Sequence, residues 1–110
     1  MAISRQINDR RGEGTSLNNL AMIYMAQGDK ESALSCYEQS LARAKEIGTK
    51  VEEARGSWNI GWLYIQKGQL AKAEPYLSRA VDLAEHMNLT DLEKWRKALE
   101  AVRAKLQEQR

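Results

Sequence analysis

Few residues in this chain are equipped to make or break bonds. His86 is the only histidine and Cys36 the only cysteine, and neither has a companion at the spacing that a metal site or a nucleophile–base pair needs. His86 falls near a helix end, where a partly charged imidazole favours the helix dipole, so a surface role is the simpler reading. Cys36 reads as a small packing residue. Carboxylate dyads and phosphate-cradling glycine loops are absent as well. The expectation is no enzyme, no cofactor and no metal. What remains is non-covalent chemistry. Arg55, Trp58 or Asn59, and Trp62 follow one another by three or four residues and so share one helical face. An indole offers a large flat apolar surface with one N–H donor, a combination enriched at interaction hot spots. An asparagine amide offers a donor pair and an acceptor, enough to grip both sides of a peptide unit without reading the ligand's side chains. Each has a plainer reading. The tryptophans can pack against the last helix near Trp95, and an asparagine can tie helices together or face water.

The elements that position these residues follow from composition. The chain has 110 residues, the size of one domain, with 17 Lys+Arg against 15 Asp+Glu and a formal charge of +2. Both signs are scattered, so the electrostatic footprint of a nucleic-acid binder is missing. One thiol makes no internal disulfide, and with no signal-peptide pattern a reducing, cytoplasmic setting is expected. The most apolar stretches fall short of the ~20 residues of a membrane span, and mean hydropathy is −0.63. There is no Phe and one Pro, while Ala, Leu, Glu, Lys, Arg and Gln abound, so the fold class is all-α. Gly28-Asp29 and Gly68-Gln69 read as tight breaks, and Asn8, Gly48 and Asn88 suit the left-handed residue that closes a helix. Thr49 with Glu52, and Thr90 with Glu93, read as capping boxes. Helices are predicted over residues 10–27, 30–47, 50–67, 70–87 and 91–108, with Pro75 bending the fourth.

The breaks are forty residues apart, and so are many other residues. Ile7 maps to Ile47, Glu13 to Glu53, Asn19 to Asn59, Leu20 to Ile60, Ala21 to Gly61, Tyr24 to Tyr64, Gly28 to Gly68, Ala33 to Ala73, Leu41 to Val81 and Ala44 to Ala84. Each unit is a helix hairpin with small residues (Ala21, Gly61, Ala33, Ala73) at the close approach and large ones (Leu20, Tyr24, Tyr37, Leu41) beside them. A single hairpin cannot bury its own apolar face, so units must stack.

The strings NLAMIYMAQGDKESALSCYEQSLARA and NIGWLYIQKGQLAKAEPYLSRAVDLA resemble the tetratricopeptide repeat family, over Asn18 to Ala44 and Asn59 to Ala84. Two departures stand out. The period is forty rather than the usual ~34, similar to the lengthened repeats of scaffold proteins and kinesin light chains, and Gly48 and Asn88 replace the proline after the second helix. The resemblance implies a right-handed α-solenoid of antiparallel hairpins. Its parts are a remnant of a preceding repeat at 1–8, repeats at 9–48 and 49–88, and a capping helix at 89–110. That last segment keeps an apolar stripe at Leu92, Trp95, Leu99, Val102 and Leu106, with Arg96, Lys97, Glu100 and Arg103 on other faces.

The resemblance also implies a function, binding of a protein or peptide partner in a concave groove lined by the first helix of each pair. Groove positions by resemblance are Thr15, Asn18, Asn19, Met22 and Met25, then Arg55, Trp58, Asn59, Trp62 and Gln66. Of these Asn18, Asn19, Met22, Arg55, Trp58, Asn59 and Trp62 are the candidate peptide-binding residues. Met22 and Met25 read either as an adaptable apolar floor or as core. The alternative function is structural, with self-association or stacking through exposed repeat ends, the N-terminal helix above all. An RNA-reading groove would want several basic residues, and only Arg55 is placed there.

Overall fold

The breaks in the sequence become left-handed backbone in the folded chain: φ is 81° at Gly28, 84° at Gly48, 75° at Gly68 and 52° at Asn88. Glycine takes this conformation without a Cβ clash and asparagine tolerates it, which is why these types stand at these positions. The computed structural model describes residues 16–109, and all regular structure among them is helical. The helices are α1 over 16–26, α2 Lys30–Ile47, α3 Lys50–Gln66, α4 Leu70–Met87 and α5 Leu92–Glu108. The Asn8 break, the start near residue 10, the 1–8 remnant and Thr15 lie outside the described residues.

Backbone hydrogen bonds repeat with the same register. Gly28 N–H donates to the Met25 carbonyl at 3.0 Å and Asp29 N–H to Tyr24 at 2.9 Å; forty residues on, Gly68 donates to Ile65 at 3.0 Å and Gln69 to Tyr64 at 2.9 Å. At the longer breaks Thr49 N–H reaches the Ala44 carbonyl at 3.1 Å and Leu89 N–H that of Ala84 at 3.0 Å. Each of these bonds returns to a carbonyl that the helix end would otherwise leave orphaned.

The helix starts differ from the expected capping boxes. Thr49 Oγ1 donates to Glu52 Oε2 at 2.9 Å, with the Ala44 carbonyl 3.4 Å away, so the hydroxyl gives a proton to the carboxylate instead of taking a backbone N–H. α5 begins one residue later than predicted, behind Asp91, which makes no side-chain cap bond. Glu93 accepts from Arg96 Nη1 at 2.8 Å, because a charge-assisted bond outcompetes the return to the cap. The side-chain cap lies at α2, where Asp29 Oδ1 accepts the Ser32 N–H at 3.1 Å. The hydrogen bonds from Ser32, hydroxyl first and backbone second, hold the Asp29 carboxyl below its ordinary value.

The chain forms two compact units, one up to Glu53 and one from Ala54. In the first, Ala21 and Ala33 are fully buried, with Tyr37, Leu41, Ala44 and Cys36 in the same core. Leu20 departs from expectation. Its counterpart Ile60 is fully buried, yet Leu20 is 44% exposed, because it lines an open hollow of about 340 Å³ with Ser16, Leu17, Gln39 and Arg43.

The second unit is built on the close approach of α3 and α4. A Cβ on Gly61 would fall 2.6 Å from Leu77 Cδ2, so the glycine admits the buried leucine against the α3 backbone. Ile60, Leu63 and Leu77 are each buried to within 1%, and each such side chain contributes about 1.5–3 kcal/mol. α5 closes the unit through Trp95, Leu99 and Val102, all buried, with Leu92 and Leu106 half-buried at the ends of the stripe. Arg96 also holds Glu85 on α4 at 2.9 Å. Arg103 holds Glu74 with Nε at 3.2 Å and Nη2 at 3.1 Å. The Arg103–Glu74 pair is half-exposed and worth about 0–1 kcal/mol, so the apolar stripe holds α5 and the arginines set its register. Pro75 lies inside α4 on an exposed position.

Candidate functional site

In the second unit, α3 carries Arg55, Trp58, Asn59, Trp62 and Gln66 on successive turns. The two readings of the tryptophans divide between them. Trp58 packs against the last helix, its ring centroid 5.5 Å from that of Trp95 with 15° between the planes. Trp62 also stacks with Trp58, at 5.9 Å and 23°. Burial falls along this column, from 2% exposure at Trp95 through half-buried Trp58 to 46% at Trp62. The outer indole is therefore supported by Trp58 while keeping much of its area open to a ligand. Stacked aromatic pairs contribute about 0.5–1.5 kcal/mol beyond area burial.

Trp62 forms one wall of a hollow of about 480 Å³. Ile65, Gly68 and Leu70 continue that wall, and Ala98, Ala101, Val102, Lys105 and Gln109 of α5 make the other side. Pockets of this size and largely apolar lining are where side chains and small ligands bind. Asn59 is half-buried one turn before Trp62, and its amide has no side-chain partner among the described residues. Arg55 is exposed one turn further back. Lys94 Nζ stands 5.8 Å from the centroid of the Trp58 ring, the middle one of the three.

In the first unit, α1 presents Asn19 and Met22 to solvent, Met22 at 63% exposure, with Asn18 and Met25 half-buried. The core reading of Met22 does not hold, since nothing in the α1–α2 hairpin covers it. Asn18 Oδ1 is buried without a hydrogen-bond partner among the described residues, which leaves an acceptor whose desolvation they do not compensate.

The residues first weighed for bond-making chemistry take plain roles. His86 is exposed near the end of α4, its Nδ1 2.8 Å from the Asp82 carbonyl, and Cys36 is buried in α2. Among the described residues no cluster of acids, histidines and cysteines is placed to hold a metal. No helix among them is long and apolar enough to cross a membrane.

Sequence reasoning did not find the α5 side of the hollow. That segment reads as a cap with a polar outer face, and Ala98 and Ala101, small residues on one face between Lys94 and Lys105, were the signal that it also lines a hollow.

The paired hairpins, their register and the fully buried alanines agree with comparison to known proteins: a model of the tetratricopeptide repeat family matches residues 12–86, more than half of the chain. The chain belongs to the tetratricopeptide repeat family. Among its relatives is the Photosystem I assembly protein Ycf3 of Prochlorococcus marinus strain NATL1A, 34% identical over 59 residues, which is 54% of this chain and 31% of that protein. The Ycf3 protein of strain NATL2A is 32% identical over the same shares. The chain thus spans about a third of the length of these relatives. Tetratricopeptide repeats are protein–protein interaction modules, generally non-catalytic, and this chain carries that coarse role with the fold.

Proposed function

We propose that this tetratricopeptide repeat chain holds a peptide segment of a partner protein, with Trp62, Trp58, Asn59 and Arg55 as the contact set of the second unit. Asn18, Asn19 and Met22 are the corresponding set of the first. The observation that carries the reading is Trp62, 46% exposed yet stacked on Trp58, which itself stacks on buried Trp95, on the wall of an open apolar hollow. Rigid, half-open aromatics cost little ordering entropy when a ligand arrives, which is the physical basis of an interaction anchor. Asn59 adds, one turn away, an amide without a side-chain partner among the described residues, fit to bond a ligand's backbone. The repeat division 9–48 and 49–88, with 89–110 as capping helix, belongs to the same proposal, as do a cytoplasmic setting and the absence of catalysis. The relatives' name as assembly proteins fits a chain that handles other polypeptides.

The test is a partner captured from lysate and trimmed to its binding peptide, then titrated against two variants. Asn59→Ala should weaken it by roughly 1–3 kcal/mol, and Trp62→Ala at least as much, with both variants still folded. Unchanged affinity in both overturns the assignment.

A second reading has its own observation. α1 exposes Leu20 at 44% and Ile23 at 53% beside the hollow with Gln39 and Arg43, an apolar surface suited to stacking on another repeat or another copy. Sedimentation over a wide concentration range decides this one, since a strict monomer throughout speaks against self-association.

A further inference from the structure

One face of α1 is open and uncharged along its described length. Residues 16–27 hold no Asp, Glu, Lys or Arg, and Ser16, Asn19, Leu20, Ile23, Ala26 and Gln27, spaced by three, one, three, three and one, share a side on which all six are exposed. Its centre is apolar, with Leu20 44% and Ile23 53% exposed. Forty residues on, the same two positions hold Ile60 and Leu63, buried to 0% and 1%. In the second repeat this face is core, and in the first it is bare.

Charge says what covers it. The exposed stripes of α5 (Glu93, Lys97, Glu100) and of α4 (Arg79, Asp82) would carry charges onto Leu20 and Ile23 and strip them of water. The α1 face brings none. Arg43 is the charged residue lining the hollow of about 340 Å³ beside Leu20, and it already holds Glu46 at 3.5 Å. Serine and glutamine at the two ends of the face each donate and accept, so they can pair with one another across a symmetry axis.

We propose that the α1 faces of two copies close on each other, antiparallel about a two-fold axis, with Leu20 of each copy against Ile23 of the other and Ser16 of each against Gln27. This contact rests on the α1 stacking reading above and names its partner, a second copy that meets the chain through the same surface. An isologous contact uses up both faces, so assembly stops at the dimer. A helix pair of this length makes a small interface, and the dimer forms reversibly as concentration rises.

Sedimentation of the full chain over a wide concentration range, with two charge variants of the exposed end positions, tests it. The native chain should pass from monomer to dimer and grow no further. Ser16→Glu with Gln27→Glu, and separately Ser16→Lys with Gln27→Lys, should each weaken dimerisation roughly tenfold or more by setting like charges against each other, with circular dichroism unchanged. Mixed in equal amounts, the two variants should associate at least as tightly as the native chain, an advantage that shrinks as salt is added. Rescue by mixing requires that the α1 face meets itself. If mixing restores nothing, or the native chain grows beyond the dimer, α1 meets some other surface, and the two-fold assignment falls while α1 stacking stands. Association abolished by Trp62→Ala identifies that surface as the hollow of the second unit and overturns the two-fold contact as well. Association indifferent to both charge variants removes α1 from assembly, and a strict monomer at every concentration overturns self-association altogether.

Discussion

Trp58 and Trp95 lie 5.5 Å apart with their ring planes 15° from parallel, joining α3 to α5 through two flat surfaces. Trp58 also stacks with Trp62, so one side chain links the core to the exposed anchor. Stability and binding should therefore separate along the column. Trp95→Ala empties a site that is 2% exposed and should cost about 3–5 kcal/mol, enough to unfold so small an array. Trp62→Ala removes a 46% exposed side chain beside an open hollow and should cost about 1 kcal/mol or less. Urea melts of the two variants are the measurement, and equal losses would show that Trp62 is a core residue.

Gly61 gives a second prediction in which two effects oppose each other. Alanine within a helix gains up to about 1 kcal/mol over glycine by propensity. Here the new Cβ would fall 2.6 Å from Leu77 Cδ2 and 2.8 Å from its Cγ, with the Ala73 carbonyl 3.4 Å away. Overpacking of this kind costs about 1–3 kcal/mol, and Leu77 is fully buried without room to retreat. Gly61→Ala should therefore destabilise on balance, and adding Leu77→Val should recover part of the loss. A more stable single variant would show that α3 and α4 separate more easily than the contact implies.

The register was legible because left-handed positions restrict residue type so strongly. Gly28, Gly48, Gly68 and Asn88 stand where the backbone takes its left-handed form, and Ala21, Ala33 and Ala73 are fully buried. What a shared helical face does not contain is the identity of the neighbour. Trp58 and Trp62 share a face by spacing, yet only the position of Trp95 on α5 decides that one is half-covered and the other open. Leu20 failed for a related reason: its equivalence to Ile60 fixes a place on the hairpin but not what covers that place. Ala98 and Ala101 were hidden because small residues on a capping helix look like ordinary helix formers. Thr49 and Thr90 matched a local motif, but Glu52 accepts the Thr49 hydroxyl and Glu93 accepts from Arg96.

Asp29 carries a pH prediction. Its carboxyl sits below the ordinary value of 3.8 because of the Ser32 hydroxyl and then the Ser32 backbone N–H, and it is fully exposed. A folded pKa below the unfolded one means that the cap stabilises fully above the ordinary carboxylate value and is lost as pH falls through the lowered folded value. Asp29→Asn keeps an acceptor for the Ser32 N–H but does not titrate. Urea midpoints of the native chain should thus drop more steeply below pH about 4 than those of Asp29→Asn, with little difference at neutral pH beyond the helix-dipole contribution. Identical acid limbs would remove the cap from the account of α2.

The α1 surface provides the last prediction. Leu20 and Ile23 lie three residues apart on one helical face, 44% and 53% exposed, and Leu20 borders the hollow with Gln39 and Arg43. Exposed positions of this kind tolerate polar residues within about 0.5 kcal/mol, so Leu20→Gln with Ile23→Gln should leave the melting curve nearly unchanged. The apolar patch would be gone. If that surface stacks on other repeats or other copies, the double variant should sediment as a monomer at concentrations where the native chain associates, while a peptide bound at Trp62 keeps its affinity. If both properties fall together, the two surfaces are one, and the stacking and groove readings collapse into a single interface. If association persists unchanged, α1 is not where copies meet, and the exposure of Leu20 and Ile23 has no role in assembly.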